Sequence, residues 1–226
     1  MKNNMRRLFL TRLGIGIGAG TALVGAPVLK AQNGTDTRWQ PARHAQDDWL
    51  DQIPGKHRFV FDTTTAEGMA AAIQFASNYF LANQTGYGLQ DSDLAVVIIA
   101  RHKSTAFAYN DAIWAKYSAP LSAQTGFTDP ATKQPPIVNV YATPGNAPGQ
   151  RPGRLDGLLK RGVHLAVCQM ATRAIAGSIA RATGGNADSV FNELVENLVA
   201  NSHMAPAGIV AVNRAQERGY TFVAAI

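Results

Sequence analysis

The chain has 226 residues, 46% of them hydrophobic and 16% charged, and 21 Lys and Arg against 15 Asp and Glu give a formal charge of +6. That size and apolar content fit one globular domain and exclude a disordered polymer, and a single cysteine, Cys168, excludes a disulfide-stapled fold. A basic surplus ordinarily points to nucleic acid or an anionic membrane as partner, so the position of the charges decides what they mean.

They lie at the N terminus. Lys2, Arg6, Arg7, Arg12 and Lys30 all precede the first carboxylate, Asp36. Arg6-Arg7-Leu8-Phe9-Leu10 has the twin-arginine pattern, and a Gly- and Ala-rich apolar stretch from Leu13 to Leu29 follows it, with small residues near Ala31. A basic start, a moderately apolar middle and a small-residue end read as a signal peptide for the twin-arginine route over residues 1–31, which directs the chain to the periplasm. A permanent anchor is the competing reading, weakened by Gly14, Gly16, Gly18 and Gly20 and by a stretch short of the about 20 apolar residues that span a bilayer. The membrane is then met only transiently, through this segment. Cleavage after Ala31 leaves a mature chain close to neutral, and nucleic acid loses its support as a partner.

Residues 32–56 are polar and broken by Pro41 and Pro54, with Trp39 and Trp49 as their large aromatic groups. They form an N-terminal arm that either lies across the domain or meets a neighbouring subunit. Regular structure begins with a strand, Arg58 to Asp62. Thr64 stands three residues before Glu67, the spacing of a capping box, and predicts a helix with Met69, Ala72, Ile73, Ala76 and Phe80 on one face that stops at Gly86 and Gly88. Leu94 to Ala100 is a continuous apolar run, the pattern of a parallel strand buried on both faces. A polar cluster, Arg101 to Thr105, and a helix over Asn110 to Ser118 come next.

Seven of the eleven prolines fall between Pro120 and Pro152, which marks residues 119–153 as an irregular excursion, either an ordered cover or an oligomer contact. After it come a short helix from Leu155 to Lys160, a strand from Val163 to Cys168, and helices at about 169–182 and 187–200. A strand from Gly208 to Val212, a short helix ending at Gly219 and a strand from Tyr220 to Ala225 close the chain. This alternation predicts an α/β fold over residues 57–226: an open, mostly parallel sheet of about five strands with helices on both faces.

Such sheets bind ligands outside the carboxyl ends of their strands. The residues that follow each strand are therefore the candidates: Asp62, then Arg101, His102 and Lys103, then Cys168, then Asn213. Cys168 ends its strand just before a helix, where the helix dipole and a neighbouring cation would favour thiolate, the nucleophilic form. It is read as a reactive, partly exposed thiol. A packing role stands beside that reading, because free cysteines are among the most buried residues. His164 lies four residues back along the same strand and is read as structural. The five histidines show no His-x-x-x-His spacing and there is no cysteine pair, so neither a metal nor a cofactor is expected. No nucleophile elbow supports a serine hydrolase.

Three stretches carry a family likeness. They are Ile99-Ala100-Arg101-His102 with Phe107 to Asp111 and Trp114 to Tyr117; Leu158 to Cys168; and Ala207 to Asn213 running on through Gln216 to Gly219-Tyr220. Together they resemble the DsrE/DsrF-like family of sulfur-relay proteins, the TusD and YchN type, over roughly residues 57–226. The resemblance implies an α/β sandwich that assembles into homotrimers or homohexamers, with a cysteine that carries sulfur as a persulfide between partner proteins. Cys168 stands at the place of that cysteine. Relay members are short and cytoplasmic, whereas this chain has an arm, a proline-rich excursion and an export signal. The implied function is a sulfur carrier in periplasmic reduced-sulfur metabolism, sulfurtransferase-like at most as an enzyme, with a sulfur donor or acceptor protein as partner. The alternative is a non-catalytic oligomeric binding protein for a small anion or a protein partner, with Cys168 structural.

Overall fold

A strand without polar residues cannot face water on either side, so β2, Leu94–Ala100, needs cover on both faces and a neighbour on both edges. The computed structural model supplies all four. It describes residues 39–130, 132–142 and 154–225. The chain divides into Met1–Gln40 and Pro41–Ile226, and the fold described is that of the second unit; residues 1–31, expected to be an export signal, and part of the proline-rich excursion lie outside the described residues. Five strands, β1 His57–Thr63, β2, β3 His164–Cys168, β4 Ser202–Ala205 and β5 Thr221–Ala225, pair throughout in parallel in the order β4-β3-β2-β1-β5. This is the α/β architecture expected from the sequence.

Alternate residues of the strands feed two cores. Phe61, Val96, Ile98, Leu165 and Val167 face α2 Ala66–Tyr87, α3 Asp111–Thr125, α4 Leu155–Lys160, α5 Gln169–Thr183 and α6 Ala187–Glu196. Val60, Val97, Ile99, Ala166 and Ala205 face α7 Gly208–Gln216 and the short α1 Trp49–Gln52. Each fully buried aliphatic side chain contributes about 1.5–3 kcal/mol relative to exposure, so the central strands anchor both layers.

The arm from residue 41 lies on the molecule's own sheet. Leu50 and Ile53 are buried in the second core, and the backbone carbonyl of Leu50 accepts from Tyr220 Oη at 2.8 Å and Arg58 Nη1 at 2.9 Å. The described part of the proline-rich excursion is an ordered cover. Fully buried Asn139 donates from Nδ2 to the carbonyls of Phe107 and Tyr109, both at 2.8 Å, and Tyr141 Oη donates to Ala66 O.

Several expected boundaries move, each for a physical reason. Thr65, not Thr64, caps α2, its Oγ1 accepting from Gly68 N at 2.9 Å. The helix runs through Gly86 and ends at Gly88, whose φ of 69° is the left-handed turn that a side chain would oppose. Helix α3 begins as expected but continues past Ser118 to Thr125. Pro120 has no N–H to donate, and the chain accommodates it with a kink at Tyr117 instead of a stop. The largest correction concerns Gly208 to Val212, expected as a strand. It is the start of α7, and the fourth strand in the chain is Ser202–Ala205. Gly208, Ala211, Val212 and Ala215 are buried at helical spacing, whereas a strand would have buried every second residue.

Candidate functional site

Strand exits set the site. Beyond Cys168 the chain passes to α5 on one face of the sheet, and beyond the adjacent strand β4 it passes to α7 on the other. Two neighbouring strands whose exits diverge leave a crevice at their carboxyl ends, the place where open α/β sheets bind ligands. Cys168 stands at that divergence.

Cys168, read from the sequence as partly exposed, is instead buried, 7% exposed, because its strand end is covered as the N-cap of α5. Its Sγ accepts a hydrogen bond from Ala171 N at 3.4 Å, and its carbonyl accepts from Thr172 Oγ1 at 3.0 Å. Thr172 is also 3.1 Å from the hydroxyl of Tyr109, a fully buried phenol that burial pushes well above its ordinary range and keeps neutral. A sulfur in the cap position faces the positive end of a helix.

The second element is Arg101. In the β2–β3 register Ala100 pairs with Val167, so the next residue on each strand, Arg101 and Cys168, are neighbours. The Arg101 guanidinium grips buried Asp62 with two hydrogen bonds, Nε to Oδ1 and Nη2 to Oδ2, each 2.7 Å. Those bonds to Asp62, with a smaller attraction to Cys168, hold Arg101 above its already high ordinary pKa, so it is a permanent cation. The pair is neutral as a whole. Its positive member lies on the strand next to Cys168 and its negative member one strand further away, so the dipole presents its positive end to the sulfur.

Backbone contacts fix the arginine. Arg101 N donates to Thr63 O at 3.3 Å and to Ser104 Oγ at 3.0 Å, and the Thr63 hydroxyl lies 2.8 Å from Ser104 Oγ. Across the crevice, Gly208 opens α7 directly on the aliphatic stem of Arg101.

The remaining sequence-derived candidates fall outside this constellation. His102 and Lys103 begin a 3-10 helix, His102–Ala108, and both are exposed. His102 sits at φ 57°, turning the chain away from the strand, and Lys103 reaches toward Gly126 at the end of α3. Asn213 does not follow a strand at all: it lies exposed on α7, bonded to Arg214 Nη1 at 3.0 Å. Sequence reasoning missed Gly208, Thr172 and Tyr109. Only Thr172 had a signal available, four residues after the cysteine on the helix expected there, whereas Gly208 and Tyr109 reach the site from segments remote in sequence. His164 meets His203 on the sheet face that carries the arm.

Among the described residues no three His, Cys, Asp or Glu side chains are grouped to hold a metal ion, and no helix is long and apolar enough to cross a membrane.

No protein-family model matches the chain, and no curated protein is similar to it. Among solved structures the chain is similar to a protein of unknown function from Methanobacterium thermoautotrophicum, at 14% identity and a TM-score of 0.37, over 75% of this chain and 99% of that one. A likeness at that level carries no family and no activity to this chain.

Proposed function

We propose that the chain is an exported DsrE/DsrF-like protein, sent to the periplasm by the twin-arginine route, that carries sulfane sulfur on Cys168. The observation that supports this is the setting of the sulfur, which is capped by the Ala171 N–H at the start of α5 and flanked in register by the Arg101 cation. The thiolate is the form of a cysteine that attacks. In the proposed step the Cys168 thiolate attacks the outer sulfur of thiosulfate or of a persulfide. One S–S bond forms on Cys168 as the donor's S–S bond breaks, and the electron pair leaves with sulfite or the donor thiolate, so no external oxidant is needed. Delivery to an acceptor thiol is the same step in reverse. Asp62 orients Arg101. As a family member the chain would work as a homotrimer or homohexamer.

A second reading rests on the same sulfur. Cys168 is only 7% exposed and already has a backbone partner, which suits a capping residue in a non-catalytic oligomeric binding protein. Intact-mass measurement after incubation with thiosulfate or polysulfide separates the two. The carrier reading expects an adduct of about 32 Da, one sulfur atom, that reductant removes and Cys168→Ser abolishes. An unmodified chain at saturating donor would leave the binding protein.

A further inference from the structure

The arm is fastened at a second cluster, at the opposite end of β3 from the cysteine. On the face of β3 and β4 that carries α1, His164 Nδ1 lies 2.9 Å from His203 Nε2. The two imidazoles are 19° from coplanar with centroids 5.2 Å apart, a separation that the nitrogen-to-nitrogen distance and the two ring radii fill, so the bond runs along the line joining the rings. Trp49 of the arm lies flat over them, 4.0 Å and 5° from His203 and 6.2 Å from His164. Both rings are about half buried, and burial pushes both below the ordinary histidine range, His203 to about 4 with His164 as a second cause.

An in-line bond between imidazoles needs one N–H and one lone pair. The neutral pair supplies them, and so does the singly protonated pair, in which the indole face would attract the cation. Two protons set N–H against N–H and two charges against each other. From this geometry we infer that the His164–His203 pair is an acid-sensitive latch: taking up its second proton breaks the bond beneath Trp49 and releases the arm, residues 41–53, from the sheet.

The released arm would uncover the apolar face that Leu50 and Ile53 now bury. The other charged groups on the elements packed here are Asp47, Asp48 and Asp51 on the arm, Arg214 on α7, and Glu217 and Arg218 just after it, which pair with one another. Arg43 joins them through Asp51, and Arg58 on β1 donates from Nη1 to Leu50 O. Strand β2 carries no ionisable side chain, and Cys168 stands at the far end of β3. His44 on the arm and His57 at the start of β1 are exposed, and His44 serves as a control.

The sign follows from linkage. Histidines held neutral by docking bind more protons when the arm is free, so docking weakens as pH falls below the free value of about 6.5, by about tenfold per pH unit for each ring kept neutral. The test is amide hydrogen exchange of residues 47–53 in the full chain at about pH 7.5 and about pH 5, corrected for the chemical pH dependence of exchange, with β2 amides as internal reference. Arm opening should rise about tenfold or more at the lower pH while β2 stays protected. His203→Gln and His164→Gln should each abolish most of that rise, and His44→Gln should leave it intact. Equal arm protection at both pH values, or a rise that survives both Gln variants, overturns the latch. NMR titration of the wild-type imidazoles needs no variant: two independent titrations at the ordinary histidine value, with no coupling to the arm, would overturn it as well.

Discussion

Gly208 presses so closely on Arg101 that a Cβ at position 208 would stand 2.4 Å from Arg101 Cβ and 2.8 Å from its Cδ. The contact joins the start of α7 to the end of β2, and it fixes the stem of the side chain whose guanidinium holds Asp62 and neighbours Cys168. Glycine is required at 208 by closeness of approach and not by a left-handed backbone.

Gly208→Ala should therefore push Arg101 off its position and slow iodoacetamide labelling of Cys168 several-fold at neutral pH. If the effect passes through Arg101, Gly208→Ala should add nothing in an Arg101→Gly background, where the clashing Cβ is gone. Additive losses in that double-mutant cycle would mean the glycine acts on packing alone.

Arg101→Ala leaves a buried carboxylate with neither of its two short hydrogen bonds. It should destabilise the protein by about 2–3 kcal/mol in urea unfolding. The exposed Arg173–Asp188 pair, 3.6 Å apart, is the control, and Asp188→Asn should cost less than about 1 kcal/mol.

Serine caps helices well, and Cys168 acts as the cap of α5. Cys168→Ser should keep stability within about 1 kcal/mol of the parent while losing all thiol labelling. A much larger loss of stability would show that the sulfur is chiefly a packing group and would spoil the serine variant as a control for sulfur loading.

Asn139 is fully buried and satisfies two carbonyls of the segment leading into α3, and its backbone N–H donates to Asp111 Oδ1 at 2.8 Å. Asn139→Ala should cost about 2–4 kcal/mol, because both carbonyls lose a donor in a buried setting. Limited proteolysis should then cut between residues 127 and 142 before the rest of the domain.

Asp91 and Glu193 are both held below the ordinary carboxylate range, Asp91 by hydrogen bonds from Arg161 and Glu193 by hydrogen bonds from Lys116 and then Tyr117. A carboxylate with a lowered folded-state value contributes stability above its unfolded value and loses it as pH falls through the folded one. The urea midpoint should drop on acidification below about pH 4, and Arg161→Gln should flatten part of that drop without changing the slope above about pH 5. The window lies below the one in which the histidine latch works, so the two effects separate in one titration.

The elements legible in the sequence share one property: their own residues settle what they must be. Leu94 to Ala100 is wholly apolar and became β2 residue for residue, and Leu155 to Lys160 became α4 unchanged. Gly208 to Val212 was ambiguous because a short apolar run with β-branched residues suits a buried strand or the inner face of a helix. Ser202 to Ala205 was illegible for the opposite reason. An edge strand pairs on one side only, and Ser202 and His203 give it no apolar run. Asn213 was misplaced as a direct result, since its standing as a site residue depended on the strand before it.

The sequence alone determined the α/β class, the buried central strands and the place of Cys168 at a strand end before a helix, because hydrophobic period and local capping chemistry are written in neighbouring residues. Only the tertiary structure decided what surrounds that sulfur and the arm. Asp62, Arg101, Cys168 and Gly208 come from four segments, and Trp49, His164 and His203 from three, brought together by strand order and register. Their grouping is a property of the sheet, whose neighbours are set by which apolar faces bury together and not by distance along the chain.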